Sequence, residues 1–226
     1  YEYAHIYGST KNSNIEKLTD TIQRTLNTYK NPLHGLRISL QHQWALDNGQ
    51  LMSGYQFRQD RQKGNFEYFA TENTLNDLEF LPEFSGKMNA SNTVHALFSQ
   101  YDHKTNRTQI SLGLRYEYYK RDLLLIQENK AYPYSIHQLY PNLSLMHDLG
   151  NNYSWKLAAA RRLQRTNNFE LNPIPEREHS ETLEQGDPEL LPEFITNAET
   201  GFVKKIKSGS IFVNGEELGK NKRFPE

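Results

Sequence analysis

The chain has 226 residues, with 26 Lys+Arg against 27 Asp+Glu, no Cys and 12% aromatics, at a mean hydropathy of -0.84. The lack of cysteine excludes disulfides, thiolate metal sites and cysteine nucleophiles, and the net charge of -1 gives no reason to expect nucleic acid or an anionic surface as partner. The aromatic content argues against disorder, an ordinary soluble core would be richer in aliphatics, and the apolar runs are too short for a membrane-spanning helix, although not for a β-barrel strand.

In chain order, 1–8 reads as a candidate strand. Ile15, Leu18, Ile22, Leu26 and Tyr29 then recur at near-helical spacing, so a short helix and a loop with scattered apolar residues are equal readings before residue 34. From Leu36 the pattern changes to a two-residue alternation. Leu36, Ile38, Leu40, His42, Trp44 and Leu46 stand against Arg37, Ser39, Gln41, Gln43 and Ala45, the signature of a strand with one apolar face. Asp47-Asn48-Gly49 is a tight hairpin turn. A polar stretch over 60–92 reads as a long loop, and 102–107 as a short turn. Ile110, Leu112, Leu114, Tyr116 and Tyr118 alternate with Gln109, Ser111, Gly113, Arg115 and Glu117. Residues 122–137 read as another long loop. Leu139, Pro141, Leu143 and Leu145 alternate next, then Tyr153, Trp155, Leu157 and Ala159 after a turn at Gly150-Asn151-Asn152. A third long loop covers 165–193. Phe194, Ala198 and Phe202 mark a further strand, which turns at Lys207-Ser208-Gly209.

The strands predicted in this way are about 9 to 13 residues long, against about 5 to 6 in soluble sheets and about 9 to 11 for a tilted bilayer span. Short and long connections alternate, as in outer-membrane barrels with tight periplasmic turns and long outer loops. Trp44, Tyr116, Tyr118, Tyr119, Tyr140, Tyr153 and Trp155 punctuate the strand ends and are expected to form aromatic girdles. A soluble β-sandwich or small ligand-binding barrel is the competing architecture at this point.

No catalytic motif is present: no G-x-S-x-G, H-E-x-x-H, P-loop or G-x-G-x-x-G. The eight histidines are scattered, without metal-ligand spacing. The acidic run Glu176-Arg177-Glu178-His179-Ser180-Glu181 reads as a solvated loop in preference to a cation site. Arg161, Arg162 and Arg165 form a basic cluster at a strand end. They are expected to face a wet interior or to pair with carboxylates such as Glu199, in preference to contacting a substrate. No enzyme activity, cofactor or metal is expected.

One stretch carries a family likeness. It runs from Ser154-Trp155-Lys156-Leu157-Ala158-Ala159-Ala160-Arg161-Arg162-Leu163 through Leu171-Asn172-Pro173 to Gly186-Asp187-Pro188-Glu189-Leu190-Leu191-Pro192-Glu193, and ends in Glu199-Thr200-Gly201-Phe202. It resembles the late barrel of TonB-dependent outer-membrane receptors, in particular the Bacteroidetes-type outer membrane β-barrel family. There a paired-Arg strand precedes "LNP", "GNPxLxPE" and an "ELGY" strand. Asp187 stands where that family has Asn, Thr166 where Pro is frequent, and Thr200 and Phe202 where Leu and Tyr are common. Beside the likeness, Gly186 permits a turn while Pro188 and Pro192 bar helix, so the element is expected to set the entry of the next strand.

The resemblance implies an all-β, antiparallel up-and-down meander that is part of a transmembrane β-barrel in the bacterial outer membrane. It covers about eight or nine strands and is a segment of one barrel domain without the plug. The implied function is import of a bulky nutrient. The implied partners are outer-membrane lipid, an unknown nutrient ligand and the TonB energy-coupling complex acting through the missing plug region, with no nucleic acid. A non-transporting barrel, an adhesin or assembly factor, is the alternative. Arg161, Arg162, Asn172, Pro173, Gly186, Asp187, Pro188, Pro192, Glu193, Glu199 and Gly201 are the family-motif positions, with structural roles. Arg165, Asn168, Arg177 and His179 are the candidate substrate-loop residues. The nutrient stays open among siderophores, glycans, peptides and metal complexes.

Overall fold

The computed structural model describes residues 2–6, 9–18, 21–71, 77–179 and 182–220. Among the described residues fourteen strands follow in chain order: β1 (Glu2–Ile6), β2 (Ser9–Leu18), β3 (Thr21–Lys30), β4 (Leu33–Leu46), β5 (Gly49–Thr71), β6 (Glu79–Phe80), β7 (Gly86–Lys104), β8 (Thr108–Leu125), β9 (Lys130–Gly150), β10 (Tyr153–Gln164), β11 (Glu176–His179), β12 (Thr182–Glu184), β13 (Glu193–Ile206) and β14 (Gly209–Lys220). A 3-10 turn at Pro82–Phe84 lies between β6 and β7. The main sheet runs β1-β4-β5-β7-β8-β9-β10-β13-β14, every pair antiparallel, and β11 with β12 forms a separate hairpin. This is an up-and-down meander.

The helix and loop readings of the first third do not hold. β3 and β4 lie end to end along β5, with 24–30 opposite 65–71 and 33–46 opposite 49–62. The break falls at Asn31-Pro32, where proline has no N–H to give to the ladder. The Pro32 carbonyl still accepts from Lys63 N at 3.2 Å. Thr21, Ile22, Thr25, Thr28 and Tyr29 are good strand residues, and pairing of β3 with β2 along its length and with β5 over 24–30 overrides the near-helical spacing of Ile15, Leu18, Ile22, Leu26 and Tyr29.

The strands are also longer than their alternation alone indicates: β5 has 23 residues, β9 has 21 and β7 has 19. Two expected long loops are therefore largely strand. The 60–92 stretch shrinks to 72–85. The 122–137 stretch becomes a four-residue connection between β8 and β9, turned by Asn129 at φ 50°. Hairpin pairing continues above the membrane, where lipid no longer selects the outer side chains and the two-residue alternation is lost, as in Leu123-Leu124-Leu125 of β8. The 165–193 stretch does remain an outer connection.

The two faces differ in chemistry. Ile38, Phe57, His95, Tyr118 and His137 stand in register across β4, β5, β7, β8 and β9 on the outer face. Tyr55 Oη lies 2.8 Å from His95 Nδ1, Tyr116 Oη lies 2.6 Å from His137 Nδ1, and the Tyr118 and His137 rings stack at 4.6 Å. The next row down is Leu40, Tyr55, Leu97, Tyr116 and Leu139, with Leu40 65% and Leu97 58% exposed. Such a contiguous apolar face needs lipid, and it sets aside the soluble architecture. Trp44, Tyr101 and Trp155 mark the opposite edge of the band, where Trp155 Nε1 donates to Thr200 Oγ1 at 2.9 Å. From Tyr118 down to Thr108 is about 33 Å along the strand, or about 25 Å across the membrane at a 40° tilt, the height of a barrel's apolar band. Tyr119 and Tyr140 do not belong to either girdle. Their parity turns them to the inner face, where they are 1% and 8% exposed.

Leu114→Arg, in mid-band on the lipid face, should destabilise the barrel by about 2–4 kcal/mol, whereas Ser144→Arg on the inner face should stay within about 0.5 kcal/mol. Urea unfolding in lipid vesicles reads both, and equal effects would overturn the assignment of faces.

Candidate functional site

The upper half of β8 turns Glu117, Tyr119, Arg121, Leu123 and Leu125 inward, all buried. Against them folds the 165–192 connection between β10 and β13. Leu171 and Leu190 pack with Met88, Leu123 and Leu125, and Leu171 is 0% exposed. A second apolar cluster, Phe66, Tyr68 and Ala70, receives Phe84 from the turn before β7 and Ile174 from the same inward connection. The 165–192 connection and the turn before β7 thus line the interior, whereas the short 126–129 turn is exposed.

Arg121 holds this arrangement. Its Nη1 donates to Thr166 Oγ1 at 3.0 Å and to the Leu190 carbonyl at 3.1 Å, while Nη2 donates to the Pro188 carbonyl at 3.1 Å. Its guanidinium also lies 5.2 Å from the centre of the Tyr134 ring. Both ends of the 165–192 connection are tied to one side chain above the outer girdle. Burial lowers the Arg121 pKa, opposed by Tyr119, Tyr134 and Asp187, and a guanidinium remains charged at neutral pH. Sequence reasoning missed Arg121. The available signal was its parity, which it shares with Arg115 and Glu117.

The predicted positions separate into groups. Arg165 pairs with Glu117, not Glu199, and lies over the Tyr119 ring at 5.1 Å. Arg161 and Arg162 are not a cluster, because adjacent strand residues point to opposite faces. Arg161 covers the Phe194 ring at 4.9 Å, and Arg162 is exposed on the inner face. Glu199 and Gly201 lie on β13, with Glu199 opposite Ala158 and Gly201 opposite both Lys156 and Asn214. Asn168 bonds Gln62 across the interior. Asn172 donates to Glu176 Oε1 at 2.6 Å and accepts from Ile174 N at 3.2 Å. The Pro173 carbonyl accepts from Gln185 Nε2 at 2.8 Å. Arg177 stacks on Phe84 at 4.7 Å, and its carbonyl accepts from Asn27 Nδ2 at 2.9 Å. His179 pairs opposite Thr182 in the β11–β12 hairpin.

The Gly186 to Glu193 element stitches the connection to itself. Gly186 N donates to the Asn172 carbonyl at 2.7 Å and Asp187 N to the Glu170 carbonyl at 2.9 Å. Asp187 Oδ1 caps Glu189 N at 2.8 Å, and buried Pro192 leads into Glu193 at the start of β13. Glycine is needed at 186 for close approach and not for a left-handed turn: a Cβ there would stand 2.5 Å from the Glu170 carbonyl oxygen.

Between the wall and the connection lies a cavity of about 390 Å³, whose lining includes Tyr29, Gln62, Asn168, Phe169, Glu176 and Glu184. Phe169 is 61% exposed. Among the described residues, no group of three or more His, Asp or Glu is placed to hold a metal.

The model of the outer membrane protein beta-barrel family matches residues 2–218. The chain belongs to that family. Its place is therefore the bacterial outer membrane, and its solved structural neighbours are TonB-dependent receptor barrels. The copper transporter OprC aligns at TM-score 0.58 and 13% identity over 92% of this chain and 38% of its own. FpvA of P. aeruginosa, bound to pyoverdines, aligns at 0.55 and 12% over 96% and 29%. The ferric citrate transporter FecA aligns at 0.53 and 12% over 89% and 29%. The chain thus spans about a third of the length of these barrels. No curated protein sequence matches it.

Within this family member, Glu176 is a partly buried residue of the connection itself, at the start of β11. Burial raises its pKa, the Asn172 hydrogen bond opposes that, and Glu184 across the hairpin adds to it. A raised carboxyl pKa means that the folded form holds the proton better than the unfolded one. Anchoring is then strongest in acid and weakens as pH rises from the ordinary carboxylate value through the raised one. Hydrogen exchange over 172–185 should show this slope, and Glu176→Gln should flatten it; an unchanged slope in the variant would reject the assignment. Arg121→Met should cost about 3 kcal/mol or more, since buried acceptors lose their donor, and should expose 165–192 to trypsin while β7 to β9 stay protected. Arg121→Lys should not restore protection, because an ammonium lacks the planar fork.

Proposed function

We propose that this chain forms wall and gate of a TonB-dependent receptor that imports a bulky nutrient across the outer membrane. The observation that carries the reading is the 165–192 connection, folded inward and fastened to the wall around a cavity, where a passing ligand would meet it. A connection that served only as an exposed adhesive loop would have no need of buried Arg121, Leu171 and Leu190. Coupling to TonB runs through a plug region beyond these residues. The chain contributes binding and passage, not covalent chemistry.

Within the candidate substrate loop, Arg165 and Arg177 hold the connection in place through Glu117 and Phe84. Asn168, with its exposed neighbour Phe169, is the pair that faces the cavity. The solved neighbours are named for ferric citrate, copper and pyoverdine. The nutrient here is read more broadly, as a solute too large for passive diffusion.

A strain lacking the receptor should lose growth on one nutrient of a panel of siderophores, glycans, peptides and metal complexes. The intact gene should restore growth, and a Phe169→Ala, Asn168→Ala version should restore it only in part, with uptake reduced about tenfold, as for loss of one aromatic contact and one hydrogen bond. Uptake that persists after deletion of the TonB protein would refute the import mechanism.

A further inference from the structure

The cavity between the wall and the 165–192 connection has a one-sided chemistry. Its lining combines the amides of Gln62, Asn168 and Asn172 and the rings of Tyr29, Phe66 and Phe169 with the carboxylates of Glu176 and Glu184. A second cavity of about 470 Å³ shares Phe169, Glu176 and Glu184 with the first and adds Glu170 and Asp187. Among the described residues neither lining contains Lys or Arg. Residues 72–76 and 180–181, outside the described set, contain none either. On β2, Lys11 and Lys17 stand opposite Thr28 and Ile22, in alternation with the position opposite Tyr29, which is Thr10.

The described cations nearby are committed elsewhere. Arg177 follows Glu176 directly, so it leaves β11 by the other face and stacks on Phe84 at 4.7 Å. Arg165 pairs with Glu117, and Arg121 donates to Thr166, Pro188 and Leu190. Glu176 and Glu184 themselves stand opposite each other in the β11–β12 hairpin. That pairing sets their Cβ atoms about 4.5–5.5 Å apart, where like charges oppose the hairpin. Glu176 accepts hydrogen bonds from Asn172 and Tyr29, and Glu184 is exposed. Among the described residues neither has an ion-pair partner. Two carboxylates held together between two cavities, beside the exposed Phe169 ring, form a seat for a cation that arrives with the ligand.

This seat separates the nutrient classes. A ferric citrate complex carries carboxylates of its own and would meet like charge. A bare metal ion would find no group of three His, Asp or Glu among the described residues. A neutral oligosaccharide would use the amides and rings but leave the carboxylates facing each other. A peptide with a basic side chain uses all three: its backbone amides match the Asn and Gln side chains, its stem covers a ring, and its charged head reaches the carboxylates. A volume of about 390 Å³ lies within the range of about 300–1,000 Å³ for organic-ligand sites.

We infer that the cavity binds a basic oligopeptide, with one ammonium or guanidinium group seated between Glu176 and Glu184 and its aliphatic stem along Phe169. The inference rests on the import reading above and narrows its nutrient to one class.

The test uses the full receptor purified from the outer membrane in detergent and isothermal titration with five probes: tri-lysine, the same peptide succinylated on every amine, tri-alanine, maltotriose and ferric citrate. Tri-lysine should bind about tenfold more tightly than any of the other four. Glu184→Gln should weaken it about fivefold. Glu184→Lys should abolish tri-lysine binding and let the succinylated peptide bind in its place, an exchange that a structural role of the hairpin would not produce. Glu128→Gln, in the exposed 126–129 turn, should leave binding unchanged. The heat-modifiable gel shift of a closed barrel confirms folding of every variant. Absence of tri-lysine binding, equal or tighter binding of any other probe, or wild-type affinity in Glu184→Gln would each overturn the inference. Should the variants fail to fold, the ranking of the five probes on the wild-type receptor still decides it. The titration needs no TonB protein, so the two readings fail separately: TonB-independent uptake refutes import, and a different ranking of the probes refutes the basic peptide.

Discussion

In hydrocarbon a backbone amide has no water to turn to, so every strand segment at membrane depth must find its partner on the neighbouring strand. That constraint orders the rest of the molecule. It demands long uninterrupted ladders, and β5, β7, β8 and β9 supply them, paired residue for residue over 17 or more positions. It also forces a two-residue period on chemistry, because consecutive side chains on a paired strand cannot share a face. One parity is then surrendered to lipid. Every polar function of the chain has to be built from the other parity, from the turns, or from the strand ends above the bilayer.

Arg121 shows what that confinement produces. A strand offers only alternate inward positions, so a loop of 28 residues cannot be held by many contacts from one strand. A single long side chain with a planar fork reaches three oxygens that a short polar residue would not. Thr166 and Pro188 lie 22 positions apart in sequence, yet both end on the same guanidinium. The Leu123, Leu171 and Leu190 contacts beneath remove water from these hydrogen bonds and so strengthen them. The apolar cluster and the cation are one device: the cluster would not place the carbonyls without Arg121, and Arg121 would not tolerate burial without the carbonyls.

The membrane-depth parts of the fold were legible, because there lipid selects side chains strictly. Leu112, Leu114 and Tyr116 against Ser111, Gly113 and Arg115 could be read without coordinates. The upper strand halves were not. The 122–137 stretch looks like loop because neither face is lipid, and Arg121, just before it, is buried by a segment 45 to 69 residues away in sequence. The first 33 residues failed for a related reason. The near-helical spacing from Ile15 to Tyr29 masked the strand, while the real organiser was β5, which pairs on both sides of Asn31-Pro32. The motif from Gly186 to Glu193 was legible as an element that sets a strand's entry. Its physical basis was not, since close approach of the Glu170 backbone cannot be distinguished in sequence from a left-handed glycine.

Net charge illustrates the same limit. A total of -1 is silent about partners only if charges are mixed at random over the surface. Here parity and height separate them. Arg58 with Asp60, and Arg115 and Arg165 with Glu117, settle as pairs on the inner face. Lys120 and Asp122 share the outer parity of β8 and settle as a pair there too. Lys30, Arg61, Lys63 and Lys87 share the outer parity of β3, β5 and β7, and Glu67, the carboxylate beside them among the described residues, is already bonded. The sum cancels while the described charges at that one face do not. For a strand that crosses a membrane, charge therefore has to be counted by face and by height before it says anything about what the protein meets.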